Sequence, residues 1–473
     1  MSALLVAVAS AASAASGARS AAPGPSGTFL GVGSSTVDAL LPEALIVLGA
    51  LAVFFDEPLR LRRRWLPLAA VALVALALAW ELVFGARIVS LFNGGFEQDR
   101  FALFAKLVLL VTTGLVLLTS EWTPLGPRPG LAMLLLACFG GMTVASATGA
   151  AGLWSGLALA VLASAGYAAT RSGVVVARRS LAVAGTLLAI VLLGIAIAGA
   201  STGSLTFDGL AGGLKAPLGL PLAIALALSL TALLGLLTLG PWLGPLVVAA
   251  AGLALLRFAA VAGHDAAAWS VLVPALAASA MLAGALGALA GAPARAQLAR
   301  VGLVQLGWFA AALVVPDRTG LGAGLYLLAA YLLASTGAPL ALGDLPHGLA
   351  GLNERAPARA AAYIFSLLSL AGVPPLAGFF GQFAVGAQLA RGHYFWLIVL
   401  GSFCSAAAAI AVLREVRLAY LASAGEHLPR PLRHPWAPFA GAVLSATLVA
   451  VYGVFAWPVS SLALQGGKAI GLP

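Results

Sequence analysis

The sequence predicts an all-α integral membrane protein of about fourteen transmembrane helices, and three observations carry that prediction. The first is composition. Of 473 residues, 62% are hydrophobic and 8% charged, with a mean hydropathy of +1.06. A soluble domain carries roughly 25% charged residues to keep its surface wet. Only a bilayer tolerates so apolar a surface. The second is the recurrence of apolar stretches long enough to span hydrocarbon, joined by short connections. The third is the placement of cations. The net charge of +10 would suit a nucleic-acid partner if it formed one basic face, but the cations lie in short loops between apolar stretches, as a topology signal does.

The stretches fall at about 37–55, 65–85, 101–119, 131–149, 151–170, 180–200, 219–240, 242–262, 268–292, 299–316, 320–342, 360–384, 394–420 and 436–460. Their short connections make neighbours antiparallel, and their Gly and Ala content lets helix backbones approach closely in lipid. Ahead of them, residues 1–36 hold an Ala/Ser-rich run, Ala3 to Ala18, and a polar loop. This reads either as an extension or as a signal-like segment, although it lacks a positive n-region. Loops after odd-numbered stretches hold sixteen of the 25 Lys and Arg residues, including Arg60, Arg62, Arg63 and Arg64, against eight on the other side. That bias puts the odd loops in the cytoplasm and both termini outside.

Two stretches read as broken. Leu239 to Pro245 places Pro241 and Pro245 in the seventh and eighth stretches, and Gly372 to Gly378 places Pro374 and Pro375 in the twelfth. Proline removes an amide donor and clashes with the preceding turn. Backbone opened at membrane depth survives only where protein or water satisfies it. The breaks lie five stretches apart, which suggests two five-helix repeats of opposite topology: 131–262 and 268–420. Residues 37–130 precede them and 434–473 follow.

Ionisable residues inside the stretches are functional candidates by default, because a charge at membrane depth is costly unless paired or hydrated. Glu43, after Pro42, reads as an interfacial anchor near the outer end of the first stretch. Glu81 and Arg257 also read as interfacial. For Lys106, snorkelling and a buried ion pair stay open. Cys138 and Cys404 form no CxxC pair, and the five histidines sit in loops or at stretch ends, so neither metal nor haem ligation is indicated.

The twelfth stretch carries the most specific motif. Ser366 to Phe383, SLLSLAGVPPLAGFFGQF, closely resembles the twelfth-helix motif of the antiporter-like membrane subunits of bacterial respiratory complex I, the NADH:quinone oxidoreductase subunit N family. Leu40 to Phe55, Phe92 to Leu110 (FNGGFEQDRFALFAKLVLL) and Arg414 to Tyr420 (REVRLAY) resemble that family's first, third and thirteenth helices in order. The resemblance implies fourteen helices with two inverted repeats, and proton translocation driven by quinone reduction elsewhere in a complex. Other membrane-arm subunits would be partners, and flavin, iron–sulfur clusters and quinone would sit on them rather than on this chain.

The departures from the family pattern are as informative. By that resemblance, the proton-path positions fall on Ala158 for a helix-5 glutamate, Arg179 for a buried lysine, Gln305 for a helix-10 histidine and Gln382 for the lysine after the double proline, and the helix-8 lysine position falls near Ala250. Glutamine cannot titrate and arginine stays protonated. The expected function is therefore a membrane-arm subunit coupling quinone reduction to proton transport. Two alternatives remain: a non-pumping structural subunit of a complex I-like or membrane hydrogenase assembly, and an Mrp-type cation/proton antiporter subunit.

Overall fold

The structure is a computed structural model that describes residues 34–55, 66–92, 94–119, 128–214, 219–238, 244–262, 269–343, 349–423 and 436–470. The signal-like run, Pro241 and residues 239–243 of the first proposed break lie outside the described residues.

The chain is helical almost throughout. Helix α1 (Ser34–Phe54) and α2 (Leu66–Phe84) lead to a short hairpin, β1 (Val89–Leu91) and β2 (Phe96–Gln98), and then to α3 (Arg100–Thr119). Next come α4 (Arg128–Ser146), α5 (Ala150–Ser172), α6 (Val174–Thr202), the short α7 (Phe207–Gly213), α8 (Gly219–Thr238) and α9 (Pro245–Ala262). The second half holds α10 (Trp269–Leu289), α11 (Ala294–Ala312), α12 (Arg318–Leu342), the one-turn α13 (Leu352–Arg355), α14 (Pro357–Ala371) and α15 (Ala377–Arg391). It closes with α16 (Phe395–Val416) and its π-helical turn Arg417–Leu421, then α17 (Trp436–Val454) and α18 (Ala456–Ala469). Among the described residues, ten helices are long and apolar enough to cross a membrane, and 130–146, 245–261 and 357–371 are shorter apolar helices.

The all-α class holds, and three local features add to or shift the sequence expectation. One is a short hairpin, in which Val89, Ser90 and Leu91 pair antiparallel with Gln98, Glu97 and Phe96. Gly94 at φ +83° and Gly95 turn that hairpin, and period-2 alternation over three residues is too short to read from sequence. The sixth stretch starts six residues early, at Val174, with Gly173 at φ +84° separating it from α5. The fourteenth stretch bends at Phe455 into two helices rather than running straight to residue 460.

Small residues set the helix spacing. A Cβ on Gly140 of α4 would lie 2.6 Å from the Gly156 carbonyl oxygen of α5, and one on Gly156 would lie 2.7 Å from that of Gly140. Nothing larger than glycine fits at either point, which is how helix backbones gain dispersion energy where lipid supplies no hydrophobic drive. The core element is α12, buried along nearly its whole length; Tyr326 from it and Tyr452 from α17 stack at 4.5 Å, each hydroxyl donating to the other residue's carbonyl at 3.1 Å.

Several arginines of the odd loops close helix ends. Arg300 donates to the carbonyls of Gly287 and Gly291 at 2.7 and 2.8 Å, and Arg414 donates to Leu289 O at 2.6 Å, all at the C-terminus of α10. Arg359 donates to Ala341 O at 2.6 Å and to Leu342 O at the C-terminus of α12, where Arg295 reaches Gly343 O at 3.0 Å. Cations there satisfy orphan carbonyls and oppose the negative end of the helix dipole.

Candidate functional site

Two buried polar sites are built from elements distant in sequence. The first joins α1, α2, α3 and the hairpin. Glu43, Glu81 and Lys106 each lie in an apolar helix, and packing turns all three inward: they are 9%, 0% and 1% exposed. Lys106 Nζ forms an ion pair with Glu43 Oε1 and lies 3.9 Å from Glu81 Oε1. It also donates to Gln98 Oε1. Gln98 Nε2 in turn donates to Glu81 Oε1 at 2.9 Å and to Gly85 O at 3.2 Å. Thus β2 delivers an amide that fixes both the ammonium and one carboxylate. The second oxygens, Glu43 Oε2 and Glu81 Oε2, are buried with no hydrogen-bond partner.

The next residue along the chain anchors a second ion pair. Asp99 caps α3, its Oδ1 accepting from Ala102 N at 2.6 Å, and its Oδ2 lies 3.3 Å from Arg257 Nη2 of α9. Arg257 Nε donates to Ala145 O at 3.0 Å, where α4 ends, and its guanidinium sits 4.7 Å from the Phe101 ring centroid. Beside them the half-buried Glu97 carboxyl is held above its usual range, by burial first and then by Asp99. Glu43, Glu81 and Arg257, which their positions in the sequence make interfacial candidates, are buried within the protein and paired. Gln98 of the hairpin closes over Glu81 and Lys106, and Asp99 with the Ala145 carbonyl closes over Arg257.

The second site lies at the broken twelfth stretch. Helix α14 ends at Gly372, which adopts φ +78°, with Val373 N donating to Leu368 O and Gly372 N to Ser369 O, both at 3.0 Å, in a Schellman-type cap. Pro374 and Pro375, joined by a cis peptide, follow, and α15 begins at Ala377. The opened backbone is satisfied by side chains. Gly378 N donates to Ser369 Oγ at 3.2 Å. The Gln305 side-chain amide of α11 faces two acceptors, and with its nitrogen assigned to that side it donates to Leu370 O at 2.7 Å and Ser369 O at 3.3 Å. The side-chain amide of Gln382 lies 3.3 Å from that of Gln305 and accepts from Ser405 Oγ at 3.1 Å, which itself accepts from Trp308 Nε1 at 2.9 Å. Glycine is required at both ends: a Cβ on Gly378 would lie 1.8 Å from Ser369 O, and one on Gly372 would lie 2.1 Å from Gln382 Oε1. Beside this network a cavity of about 530 Å³ opens between α15 and α16, lined by Gln382, Ser405, Trp308, Pro374 and Phe383 among others.

The structure therefore brings Lys106 and Glu43 together, and separately Gln305, Gln382, Pro374, Pro375 and Gly378. Arg179 belongs to neither site: it is exposed near the start of α6. Ala158 and Ala250 place no charge inside the bundle. Pro245 begins α9, where its missing amide costs nothing. The sequence reading missed Gln98, Asp99, Ser369, Ser405 and Trp308. Asp99 alone carried a local signal, an acid one residue before a long apolar run.

Comparison with known proteins agrees with this architecture. Residues 157–407 match the family described as NADH:quinone oxidoreductase/Mrp antiporter, transmembrane. Some alignments are local: the match to NADH-quinone oxidoreductase subunit N of Moorella thermoacetica, at 30% identity, covers 43% of this chain and spans only 44% of that relative's length. Against subunit N 2 of Rhizobium meliloti the chain is 27% identical over 92% of its own length and 98% of the relative's. Among solved structures, a chain of Thermus thermophilus respiratory complex I with bound aureothin superposes with a TM-score of 0.74 at 26% identity, covering 89% of this chain and 99% of that one. A chain of the Mrp complex from a Dietzia species shares the fold at a TM-score of 0.79 and 18% identity, over 92% of this chain and 97% of that one. With more than half its length matched by the family model, this predominantly helical, multi-pass membrane chain belongs to the NADH:quinone oxidoreductase/Mrp antiporter transmembrane family.

Proposed function

We propose that the chain is a membrane-arm subunit of a proton-translocating NADH:quinone oxidoreductase-like assembly, itself free of redox chemistry. One observation carries the reading: a helix opened at Gly372–Leu376 with its freed carbonyls held by Gln305, within a segment that matches the family. Opened backbone at membrane depth is a device for binding or passing ions rather than for packing. Flavin, iron–sulfur clusters and quinone belong to partner subunits on this reading, and the location is a bacterial inner membrane with both termini outside, as the cation bias suggests. The test is isolation of the tagged chain from native membranes in mild detergent. Co-migration with quinone-reducing subunits is expected, and a chain that migrates alone would overturn the reading.

A second reading is favoured by a specific observation. At the break, neutral amides stand where the family pattern leads one to expect titratable groups, so this half of the chain supports the opened helix without carrying protons through Gln305 or Gln382. A subunit that scaffolds with its second half and handles protons only in its first is consistent with both sites. An Mrp-type cation antiporter fits the fold but would need carboxylates at the break to bind sodium, and the groups around Gln382 are amides, hydroxyls and an indole.

A further inference from the structure

We propose that Glu43, Glu81 and Lys106 form a one-proton site, in which the two carboxylates share a single ammonium and hold one exchangeable proton between them. The inference deepens the proton-translocating reading above by naming where this chain binds a proton.

The argument is charge balance in a closed space. Two carboxylates and one ammonium, none more than 9% exposed, sum to minus one when all are ionised. An uncompensated charge in so apolar a setting is costly enough that the group neutralises instead. Among the described residues no neighbour supplies the missing positive charge. Asp99 and Arg257 pair with each other. Arg87 pairs with Asp38 at 2.7 Å on the exposed side. Glu97 on the hairpin and Cys138 on α4, the other titratable groups close by, bring no cation.

Hydrogen bonding points the same way. Of the four carboxylate oxygens, two are used: Glu43 Oε1 by Lys106, and Glu81 Oε1 by Gln98 with Lys106 at 3.9 Å. The other two are buried without partners. Gln98 has spent both its amide hydrogens, on Glu81 and Gly85, so it cannot serve them. A proton on one carboxyl removes the excess charge. A metal ion does not fit: the ammonium occupies the space between the carboxylates, and among the described residues no three acidic, imidazole or thiol side chains converge.

Lys106 rests on Glu43 in this structure, which leaves Glu81 as the carboxyl that holds the proton. Release is Glu81–COOH giving its proton to water and becoming carboxylate. The ammonium, on a flexible four-carbon stem, then divides itself between the two anions. Gln98 keeps the ammonium within reach of both. Glu81 in the last turn of α2 and Lys106 in the second turn of α3 flank the 85–99 connection, and Glu43 reaches them from midway along α1.

Infrared spectroscopy of the full chain in lipid, at neutral pH, tests the count directly through the carboxylic acid band. The wild type is expected to show one protonated carboxyl from this cluster. Glu81→Gln and Glu43→Gln are each expected to abolish it, since one carboxylate and one ammonium balance. Lys106→Gln is expected to raise it to two. A wild type with no such band, or a band that survives both glutamate replacements, overturns the proposal. Should Lys106→Gln fail to fold, the two near-isosteric glutamine variants still decide. A chain that shows the pattern yet migrates without quinone-reducing subunits keeps the proton site and loses the subunit reading. A chain that co-migrates without the pattern does the reverse.

Discussion

The cluster around Lys106 and the network around Gln382 are both buried, both draw on at least three elements, and both bridge interrupted regions of the bundle, but one is ionic and the other is neutral. At Lys106 the hydrogen bonds join charges, and the arrangement depends on how many protons are present. At Gln382 they join amides, hydroxyls and main-chain carbonyls, and the arrangement is the same at any pH. The first is fit to respond to protons; the second is fit to keep a broken helix in place. The difference teaches that an opened helix can be held in place by neutral groups alone, because freed carbonyls need donors and glutamine supplies them.

The sharpest way to break this contrast is to remove one charge. Lys106→Leu leaves two carboxylates buried together and is expected to cost about 3–5 kcal/mol, as breaking a buried ion pair does. Thermal unfolding in detergent measures it. Adding Glu43→Gln and Glu81→Gln to the same chain is expected to restore much of the loss, and failure to do so would mean that shape rather than charge holds the cluster. Asp99→Asn comes next. Arg257 keeps the Ala145 carbonyl and the Phe101 ring, so the loss is expected at about 1.5–3 kcal/mol, the range for hydrogen bonds to charged groups.

At the neutral site the effects are steric or single-bond in size. Gly378→Ala drives a Cβ into the Ser369 carbonyl and is expected to cost about 1–3 kcal/mol through overpacking. Gln305→Leu strips donors from Ser369 and Leu370 and falls in the same range of about 1–3 kcal/mol for buried acceptors left unpaired. Neither loss should vary between pH 5 and 8, whereas that of Lys106→Leu should; equal pH profiles would erase the distinction between the sites. The smallest effect is Glu97→Gln. Burial holds this carboxyl above its ordinary range, so the folded state keeps a proton that the unfolded chain releases, and stability falls as pH rises above the ordinary glutamate value. The variant is expected to be slightly more stable at neutral pH and indistinguishable under acid, read from unfolding midpoints at the two pH values.

How far the sequence could be read differs between the two sites for a physical reason. The break was legible because Gly372, Pro374, Pro375 and Gly378 act locally: a missing amide and a ring clash interrupt a helix whatever surrounds it. Its supports were not, since Ser369, Ser405 and Trp308 are ordinary residues whose role comes from what faces them. Lys106 stood out as a charge in an apolar run, but Glu43, Glu81 and Arg257 near stretch ends read as wet. Whether a helix end is wet depends on a hairpin of two three-residue strands, too short for its alternation to register.

By itself the sequence determined the solvent, the helical secondary structure, the double-proline break and the family, because hydropathy, proline and motif are properties of neighbouring residues. Only the tertiary structure decided which ionisable groups are buried, which pair with which, and which donors close the opened helix. Those depend on contacts between segments far apart in the chain, such as Asp99 and Arg257, 158 residues apart, and no local pattern encodes such a distance.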